Sequence, residues 1–238
     1  WGLYAASGAT VQMTGGVIHG NHGSAAFISG ENTTLVGQDI VFSGTLPSSE
    51  EGVHTNGIAT ELGASVTLAR ALVEDNQGFG IVVTDQTSRF TMQDGFVAGT
   101  TPDATVSSGQ GLFLEGIVTL TRVLVENNQD FAISFTYVGQ LLLEDVAITN
   151  NQGIGVFVTG QQGTALNVHM NRVVVAQNHG TGVVATQPDT TLVMQDTRIA
   201  HTQPRSGDMT SGIGLFVLVG AQVDLTRGVI EHNHHYGA

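Results

Sequence analysis

An internal repeat runs through this whole sequence and restricts its possible folds more than any other feature. Segment 66–77, VTLARALVEDNQ, reappears in nearly the same form as segment 118–129, VTLTRVLVENNQ. Related segments end at Asn21, Thr45, Asn76, Thr100, Asn128, Asn151, Asn178, Thr202 and Asn233, with spacings of 23 to 31 residues. A period of this length indicates a solenoid in which each unit packs on the next.

Each unit contains three short segments with strand character, separated by turn residues. A Gly-apolar run such as 155–158 comes first, an alternating run such as 223–225 follows, and a short apolar run such as 173–175 comes last. Turn residues and apolar residues recur at the same positions in every unit. Equivalent positions of successive units are therefore expected to stack on one another. This pattern predicts parallel strands rather than an antiparallel meander.

The length of the units selects one type of solenoid. Units near 24 residues are too long for a left-handed hexapeptide coil, and the leucine-rich and RTX consensus patterns are absent. The sequence therefore predicts an all-β fold, a right-handed parallel β-helix (β-solenoid) of about nine three-strand coils. We expect 1–238 to be a single domain and a segment of a longer solenoid or surface protein.

Charge and composition exclude several kinds of partner. Seven basic residues, all Arg, stand against 20 acidic residues, which gives a net charge of −13. This balance predicts no nucleic-acid partner, because such partners are held by phosphate neutralisation. The chain has no Cys, which excludes a disulfide framework and thiolate chemistry. Its longest apolar run, 213–219, is too short for a membrane span.

One position of the repeat alternates in charge from coil to coil. This charge ladder consists of Asp39, Arg70, Asp94, Arg122, Asp145, Arg172, Asp196 and Arg227. Equivalent positions of stacked strands lie about 4.8 Å apart, so each guanidinium is expected to lie between two carboxylates. A slip by one coil would oppose like charges, and we therefore expect the ladder to be structural and to fix the stacking register. Only Arg89, Arg198 and Arg205 would then be free.

A second column consists of asparagines at the end of the third strand. This turn ladder comprises Asn21, Asn76, Asn128, Asn151, Asn178 and Asn233. Asparagine suits a turn because its amide can bond the backbone of a neighbouring coil. We expect these residues to hold the coils together.

With these repeats, the chain resembles the right-handed parallel β-helix proteins of the pectate-lyase-like superfamily, and in particular the Asn-ended repeats of secreted bacterial proteins. The resemblance covers nearly the whole chain and implies export, so an extracellular or cell-surface location is expected. It is weak for function, because the superfamily includes lyases, hydrolases, esterases, tailspikes and adhesins. Its enzymes carry acids, calcium ligands and a basic residue on the outer side of one strand face.

The outward positions of the first strand carry no charge in this sequence. The predicted column is Tyr4, Ile28, Ala59, Val82, Phe113, Ser134, Phe157, Val184 and Phe216. An apolar column with aromatic residues is unlike a polyuronate-cleaving cleft. It suggests an interface at Tyr4, Phe113, Phe157 and Phe216.

A second apolar column follows the charge ladder along the third strand. It comprises Val17, Val41, Leu72, Phe96, Leu124, Ala147 and Val174, followed by Arg198 and Val229. A local bulge that tucks the apolar side chains inward would explain this stripe. An exposed interface with flanking segments, another copy or a partner would explain it equally well.

The best enzyme-like group comes at the end of the first strand. Glu61, Asp85 and Glu115 follow it in coils 3, 4 and 5, at spacings of about 5 Å and about 10 Å that resemble those of glycosidase carboxylates. Three such acids could equally bind Ca²⁺ or be plain surface turns. The inserted loop 48–54 and its counterparts around Asp103 and Asp208 could flank a groove. No histidine spacing fits a zinc site, so no metal and no other cofactor is expected.

Two functions remain. The sequence favours a non-enzymatic extracellular scaffold or adhesion module that contacts protein or carbohydrate and can associate with itself end to end or laterally. The alternative is a carbohydrate-active enzyme, a polysaccharide lyase or glycoside hydrolase, that uses the acids near coils 3 to 5.

Overall fold

The computed structural model describes residues 1–48, 55–103, 108–205 and 212–234, which contain 25 β-strands numbered here in chain order. We call each repeat unit a coil and number it by the strand that it contributes to the first sheet. The nine strands of this sheet are all parallel: β1 Leu3–Ala6, β3 Ser24–Ser29, β5 Asn56–Glu61, β8 Phe79–Val83, β11 Gln110–Leu114, β14 Ile133–Tyr137, β17 Val156–Gly160, β20 Thr181–Thr186 and β23 Ile213–Val217.

The remaining 16 strands form a second, bent sheet. One arm holds the second strand of each coil: β6 Ser65–Ala69, β9 Arg89–Gln93, β12 Ile117–Thr121, β15 Gly139–Glu144, β18 Leu166–Asn171, β21 Thr190–Gln195 and β24 Gln222–Thr226. The other arm holds the third strands: β7 Leu72–Glu74, β10 Phe96–Ala98, β13 Leu124–Glu126, β16 Ala147–Thr149, β19 Val174–Ala176, β22 Arg198–Ala200 and β25 Val229–Glu231. Strands β2 Thr10–His19 and β4 Thr34–Ser43 run through both arms.

The core fills the space between the two sheets with columns of apolar side chains. Alternate residues of each strand point inward, and equivalent positions pair directly, as Val168 does with Leu141 and Leu192. Phe42, Phe90 and Phe135 are among the largest fully buried side chains. Each buried side chain of this size stabilises the fold by roughly 1.5–3 kcal/mol. The inward columns recur in every coil, so the core continues along the solenoid.

The corner between the second and third strands places one residue of each coil in the left-handed region. Its φ is +64° at Gly15 and between +50° and +57° at the eight ladder residues. This conformation is uncommon for residues other than Gly, Asn and Asp, and four arginines nevertheless adopt it. It turns the next side chain inward, so Ile40 and Val173 are buried.

The apolar stripe that follows this corner faces outward. Val17 is 66% exposed and Leu72 is 38% exposed, while Phe96 and Val174 are partly buried. A bulge that buries the stripe is therefore wrong as an explanation. The left-handed corner turns only the first following residue into the core.

The turn asparagines bond the backbone of the preceding coil. Asn178 Oδ1 accepts from Asn151 N at 3.1 Å, and Asn178 Nδ2 donates to Ile148 O at 3.0 Å. Asn151 makes the same kind of bond to Asn128. The side chains of Asn76, Asn128, Asn151 and Asn178 are fully buried, so these bonds satisfy polar groups that water cannot reach.

The buried amides also explain the glycine that opens the first strand of most coils. A Cβ at Gly155 would lie 3.0 Å from Asn178 Nδ2, and one at Gly111 would lie 2.8 Å from Asn128 Nδ2. Each turn side chain therefore occupies the space beside this position. The Gly and the Asn of one coil form a single packing unit.

Candidate functional site

The outer face of the first sheet carries most of the aromatic side chains. Strand pairing places Tyr4, Phe27, Ala59, Val82, Phe113, Ser134, Phe157, Val184 and Phe216 in one outward column, which we call the central column. The sequence placed Ile28 in this column, which is wrong. Phe27 pairs with Tyr4, while Ile28 is fully buried in the core. Phe27 is therefore one more aromatic residue on this face.

Rings from the start of the first strand pack against the central column. Trp1 lies beside Tyr4 and Phe27, with centroid distances of 5.2 and 5.8 Å, and Tyr4 stacks on Phe27 at 5.7 Å. Two further pairs follow along the axis, Phe79–Phe113 at 5.7 Å and Phe131–Phe157 at 5.4 Å. These distances are typical of attractive ring pairs. The aromatic groups therefore recur along the length of the sheet.

Small residues alternate with the large ones in the central column. Ser134 is only 3% exposed because Phe113 and Phe157 flank it from the neighbouring coils. Val184 is similarly buried between Phe157 and Phe216. Phe113, Phe157 and Phe216 are thus two coils apart, or about 10 Å. The outer face has a regular series of aromatic ridges with shallow notches between them.

A polar column runs along the other edge of the same face. Ser29 pairs with Glu61, and Thr136 pairs with Thr159. Ser29 Oγ donates to Glu61 Oε1 at 3.1 Å. Thr136 is largely buried, and its hydroxyl has no hydrogen-bond partner among the described residues. Hydroxyl and carboxylate groups therefore line one side of the aromatic ridges.

The three predicted acids do not share one column. Strand β8 ends at Val83, which pairs with Thr60 and Leu114, so Thr84 rather than Asp85 lies between Glu61 and Glu115. The expected 5 Å stacking of three carboxylates is therefore wrong. Glu61 and Glu115 are two coils apart in the polar column, and Asp85 lies one residue beyond it.

Asp85 closes a turn. Its carboxylate accepts hydrogen bonds from Thr87 N, Thr87 Oγ1, Ser88 N and Ser88 Oγ at 2.6 to 3.0 Å. Partial burial opposes ionisation of this carboxyl, but the bonds from Thr87 and Ser88 outweigh it and lower the pKa of Asp85 to about 2. Asp85 is therefore a permanent anion whose oxygens are used by its own loop.

The pKa of Glu115 is shifted in the opposite direction to that of Asp85. Burial raises its pKa, a backbone hydrogen bond from Asp85 opposes the rise, and the negative charge of Asp85 adds to it. The environment of Glu115 therefore favours its protonated form. Two neighbouring carboxyls with pKa values shifted in opposite directions are the pairing that acid–base catalysis requires.

Two inserted loops meet at the start of the first strand. Ser108 Oγ donates to Asp130 Oδ2 at 2.8 Å, and Arg205 Nη2 lies 3.6 Å from Asp130 Oδ1. Ser108 follows coil 4 and Arg205 follows coil 8, so both segments reach the turn of coil 5 beside Phe131. Asp130 therefore joins two loops at one side of the aromatic ridges. The tips of these loops, with segment 49–54 and Asp208, lie outside the described residues.

The charge ladder forms pairs. The Nε and Nη2 groups of Arg70 bond the two carboxylate oxygens of Asp39 at 2.6 and 2.9 Å, and Arg227 bonds Asp196 in the same way. The pairs Arg122–Asp94 and Arg172–Asp145 repeat this fork. The expected sharing of each guanidinium's hydrogen bonds between two aspartates is therefore wrong, although Arg70, Arg122 and Arg172 do lie between two aspartates in the column. Each arginine uses both fork nitrogens on the aspartate of the preceding coil.

The residue before each ladder aspartate supports the pair. Gln38 Nε2 donates to Asp39 Oδ2 at 3.2 Å, and Gln93 does the same for Asp94. In the third pair Glu144 instead accepts from Arg172 Nη2 at 2.8 Å. The bonds from the arginines lower the pKa of the ladder aspartates, and bonds from the preceding glutamines add to this effect at Asp39, Asp94 and Asp196.

Two arginines that the sequence left free are paired. Arg198 binds Glu231, with Nη2 2.8 Å from Oε1, and Arg205 faces Asp130 as described above. Both contacts join residues from different coils. The repeat pattern does not predict these two pairs, because neither pair recurs at equivalent positions in other coils.

A groove on the second strands was not predicted from the sequence. A cavity of about 320 Å³ lies on the outer side of this arm, lined by Thr119, Gln140, Leu142, Asn167 and His169 among others. Thr119, Leu142 and His169 of coils 5, 6 and 7 form one column there, and Ile117, Gln140 and Asn167 form another. The groove is shallow and open.

No three His, Asp or Glu side chains, including Glu61, Asp85 and Glu115, lie together in a way that could hold a metal ion within the described ranges. Within the same ranges, no helix is long and apolar enough to cross a membrane.

Comparison with known proteins identifies the fold. No protein-family model and no curated protein sequence matches the chain. The Dettilon tailspike protein superposes with a TM-score of 0.53 at 9% identity, over 95% of this chain and 53% of its own. The pectin methylesterase from Aspergillus niger gives 0.51 at 8% identity, over 94% of this chain and 78% of its own.

The chain thus spans about half the length of the tailspike. An endopolygalacturonase from Stereum purpureum aligns at 13% identity over 95% of this chain and 93% of its own, with a TM-score of 0.29. At 8–9% identity, the tailspike and the pectin methylesterase show a common fold and carry no information about activity. Its parallel sheets and the superpositions on the tailspike and the pectin methylesterase together identify the fold of this chain as a right-handed parallel β-helix.

Proposed function

We propose that this chain is a non-catalytic, extracellular β-solenoid module that binds a neutral glycan on the outer face of its first sheet. The observation that supports this most is the series of aromatic ridges at Phe113, Phe157 and Phe216 beside a column of hydroxyl and carboxylate groups. A sugar ring has an apolar face and a polar rim. The two kinds of column match these two surfaces.

The aromatic ridges supply the apolar contact. Phe216 is 40% exposed and Tyr4 is 56% exposed, so their rings are open to a ligand. Ridges two coils apart, about 10 Å, suit a chain that lies along the solenoid axis and stacks alternate sugars. The stack in coils 1 and 2, with Trp1 and Tyr4, offers the widest aromatic surface.

The polar column supplies hydrogen bonds to sugar hydroxyls. The buried hydroxyl of Thr136 has no partner in the described part of the chain. That hydroxyl is shielded from solvent, so bonds to a ligand would come from the partly exposed Glu61 and Thr159 of the same column. Ser29, Glu61 and Thr159 extend the column on either side.

Charge favours a neutral glycan over an acidic one. The chain has a net charge of −13, and six of its seven arginines are already paired with carboxylates. An anionic polysaccharide would therefore meet repulsion on approach.

The non-catalytic part of the proposal rests on the acids. The oxygens of Asp85 are held by four bonds from its own turn, and a pKa near 2 leaves it no proton to donate. The enzyme alternative keeps one supporting observation, the raised pKa of Glu115 beside the Asp85 charge. It requires Glu61 and Glu115, two coils apart, to act across one glycosidic bond.

Binding to immobilised polysaccharides tests the glycan proposal. We expect the chain to bind at least one neutral polysaccharide more tightly than polygalacturonate. Loss of one stacking ring removes about 1–2 kcal/mol, or about 5–30-fold in affinity, so Phe113→Ala and Phe157→Ala should each weaken binding by this factor. Leu72→Ala, on a different face, is the matched control and should change nothing. Equal binding by all three variants would refute the assignment of this face.

A depolymerisation assay separates the two functions. The proposal expects no release of reducing ends or unsaturated products from any polysaccharide that binds. Cleavage that disappears in Glu115→Gln and in Glu61→Gln would establish the enzyme instead.

A further inference from the structure

The outer face of the third strands carries its apolar stripe between two polar borders. Leu72 has a coil on each side and is still 38% exposed, and Phe96, Leu124 and Val174 are partly exposed. The charge ladder forms one border. The last residues of the third strands form the other, the end column, which comprises Ser43, Glu74, Ala98, Glu126, Thr149, Ala176, Ala200 and Glu231. We call these three columns together the third-strand face.

We infer that two copies of this chain pair through their third-strand faces and run in opposite directions about a two-fold axis between coils 5 and 6. Coil 2 of one copy then meets coil 9 of the other, coil 3 meets coil 8, coil 4 meets coil 7 and coil 5 meets coil 6. A two-fold contact uses the same surface on both copies and is the commonest arrangement of homodimers. This face runs along the side of the solenoid, so the stacking of coils leaves it uncovered.

The charge ladder is complementary to itself in this arrangement. The ladder residue is Asp in coils 2, 4, 6 and 8 and Arg in coils 3, 5, 7 and 9. Because every even coil meets an odd one, all eight ladder residues of each copy face an opposite charge. Arg122 would face Asp145 of the second copy, and Arg172 would face Asp94 of the second copy.

The ladder arginines have donors available for this contact. Each bonds the aspartate of its own chain through Nε and Nη2, and its Nη1 makes no hydrogen bond within the described part of the chain. The arginine side chains are 47–59% exposed. A guanidinium carries five N–H donors, and a carboxylate can accept more bonds than the fork supplies. Nη1 can therefore donate to a facing aspartate while the fork stays intact.

The other two columns agree with the antiparallel direction. The glutamates of the end column occur only in coils 3, 5 and 9, so each would meet an uncharged residue of an even coil. In the stripe, Leu124 would meet the smaller Ala147. Arg198, the one charge in the stripe, would meet Leu72. With both copies in the same direction, Arg198 would instead meet Arg198 of the second copy.

The size of the face indicates a reversible dimer. The three columns are about 13 Å wide and eight coils are about 38 Å long, so two copies bury about 1,000 Å² in total, the lower bound for a specific interface. The net charge of −13 on each copy opposes association at long range. At physiological ionic strength, however, such repulsion is screened beyond about 8 Å. We therefore expect a dimer that dissociates on dilution.

Two charge-swapped variants test the pairing. Asp94→Arg/Arg122→Asp and Asp145→Arg/Arg172→Asp each keep an arginine–aspartate pair within the chain. In a homodimer, either variant would set like charges against each other at four positions, whereas a mixture of the two variants matches opposite charges at all of them. We expect sedimentation equilibrium to show dimers of the unaltered chain and of the equimolar mixture, and monomers of either variant alone.

Several results would overturn the inference. These are a monomer of the unaltered chain up to about 1 mM, undiminished dimers of either variant alone, and no dimers in the mixture. Circular dichroism establishes that each variant is folded before the test. Dimers of Asp145→Arg/Arg172→Asp alone would indicate copies that run in the same direction, because the ladder residues of coils 6 and 7 would then face Thr149 and Ala176.

A matched pair of leucine variants tests the location of the contact. Leu124→Asp places a carboxylate at the centre of the third-strand face and should abolish the dimer. Leu142→Asp is the control, since Leu142 is 39% exposed on the outer side of the second strands. If only Leu142→Asp loses the dimer, the contact lies on the second strands and the inference is wrong.

Nitroxide labels measure the direction of the two copies, since the chain has no native cysteine. Thr67 of coil 3 and Leu142 of coil 6 are exposed members of one outward column. In the antiparallel dimer, labels on Thr67→Cys would be five coils apart along the axis, about 24 Å, and labels on Leu142→Cys one coil apart, about 5 Å. We therefore expect the longer distance for Thr67→Cys. Equal distances would overturn the antiparallel arrangement.

Discussion

Removal of one buried turn amide should destabilise the solenoid more than any surface change. Asn151 is fully buried and accepts hydrogen bonds at Oδ1 from Asn128 N at 3.0 Å and from Asn128 Nδ2 at 2.9 Å. Its own amide donates to Val125 O, Thr149 O and Asn178 Oδ1. In Asn151→Ala both Asn128 donors lose this acceptor in a site that water does not reach.

The magnitude follows from those two donors. A buried donor without a partner costs about 1–3 kcal/mol, so we expect Asn151→Ala to lower the free energy of unfolding by about 2–6 kcal/mol. This is a large part of the roughly 5–15 kcal/mol available to a typical domain. Asn151→Thr should cost less, because coils 2, 4 and 8 carry Thr at this position. The Thr45 hydroxyl, for example, still donates to Asn76 Oδ1 at 3.0 Å.

Urea unfolding followed by far-ultraviolet circular dichroism measures the effect. Gln152→Ala is the matched control, since Gln152 is the next residue and is exposed. Amide hydrogen exchange should also show the lost protection concentrated in coils 5 to 7, because each coil of a solenoid contacts only its neighbours. If Asn151→Ala and Gln152→Ala are equally stable, the turn ladder does not hold the coils together.

Two further predictions concern the charge ladder. Arg122→Asp should lower the melting temperature at low salt, because it breaks the fork with Asp94 and adds a carboxylate between Asp94 and Asp145; the loss should shrink in 1 M NaCl, where exposed charges are screened. The double variant Asp94→Arg/Arg122→Asp should regain most of the loss if the pair is the functional unit, and no recovery would contradict that. Stability should also fall as the pH drops below about 4, because arginine contacts hold the pKa of the ladder aspartates below their usual 3.8. The unfolded chain then binds more protons than the folded one, so this contribution is complete above the unfolded pKa and is lost as the pH falls through the folded values. Melting temperatures between about pH 2 and pH 7 measure it, and Arg122→Ala should move the loss at Asp94 to higher pH; an unchanged acid branch would contradict the assignment.

Strand positions could be read from the sequence wherever the repeat is regular. In coils 5 to 9 the outward column of the first strand, with Phe113, Phe157 and Phe216, is the one that the spacing predicts. At coil 2 the prediction is one residue out, and Ile28 lies in the core where Phe27 faces outward. Because side chains alternate between the two faces, a slip of one residue exchanges inside and outside. Because Phe27 and Ile28 are both apolar, the sequence does not indicate which of them faces the core.

The residues of the candidate site were harder to place from the sequence than the strands were. Asp85 stands one residue beyond the polar column because its turn begins there, and turns of different lengths follow the first strand in different coils. The meeting of Ser108 and Arg205 at Asp130 joins segments that are far apart in the chain. The Asp85 turn and the loop contacts at Asp130 do not recur in other coils. The repeat pattern of the sequence therefore does not predict them.

The sequence by itself determined that this chain is a parallel β-helix and which residues form its ladders. In such a solenoid, residues at the same phase of the repeat lie one strand spacing apart, so a one-dimensional pattern directly becomes a column in space. Only the tertiary structure decided how those columns are used. It placed arginines at left-handed corners, paired each with one aspartate, and brought aromatic rings from different positions of the repeat onto one face. These outcomes depend on the direction of side chains at bends and on contacts between inserted loops, and the spacing of residues along the chain does not specify either.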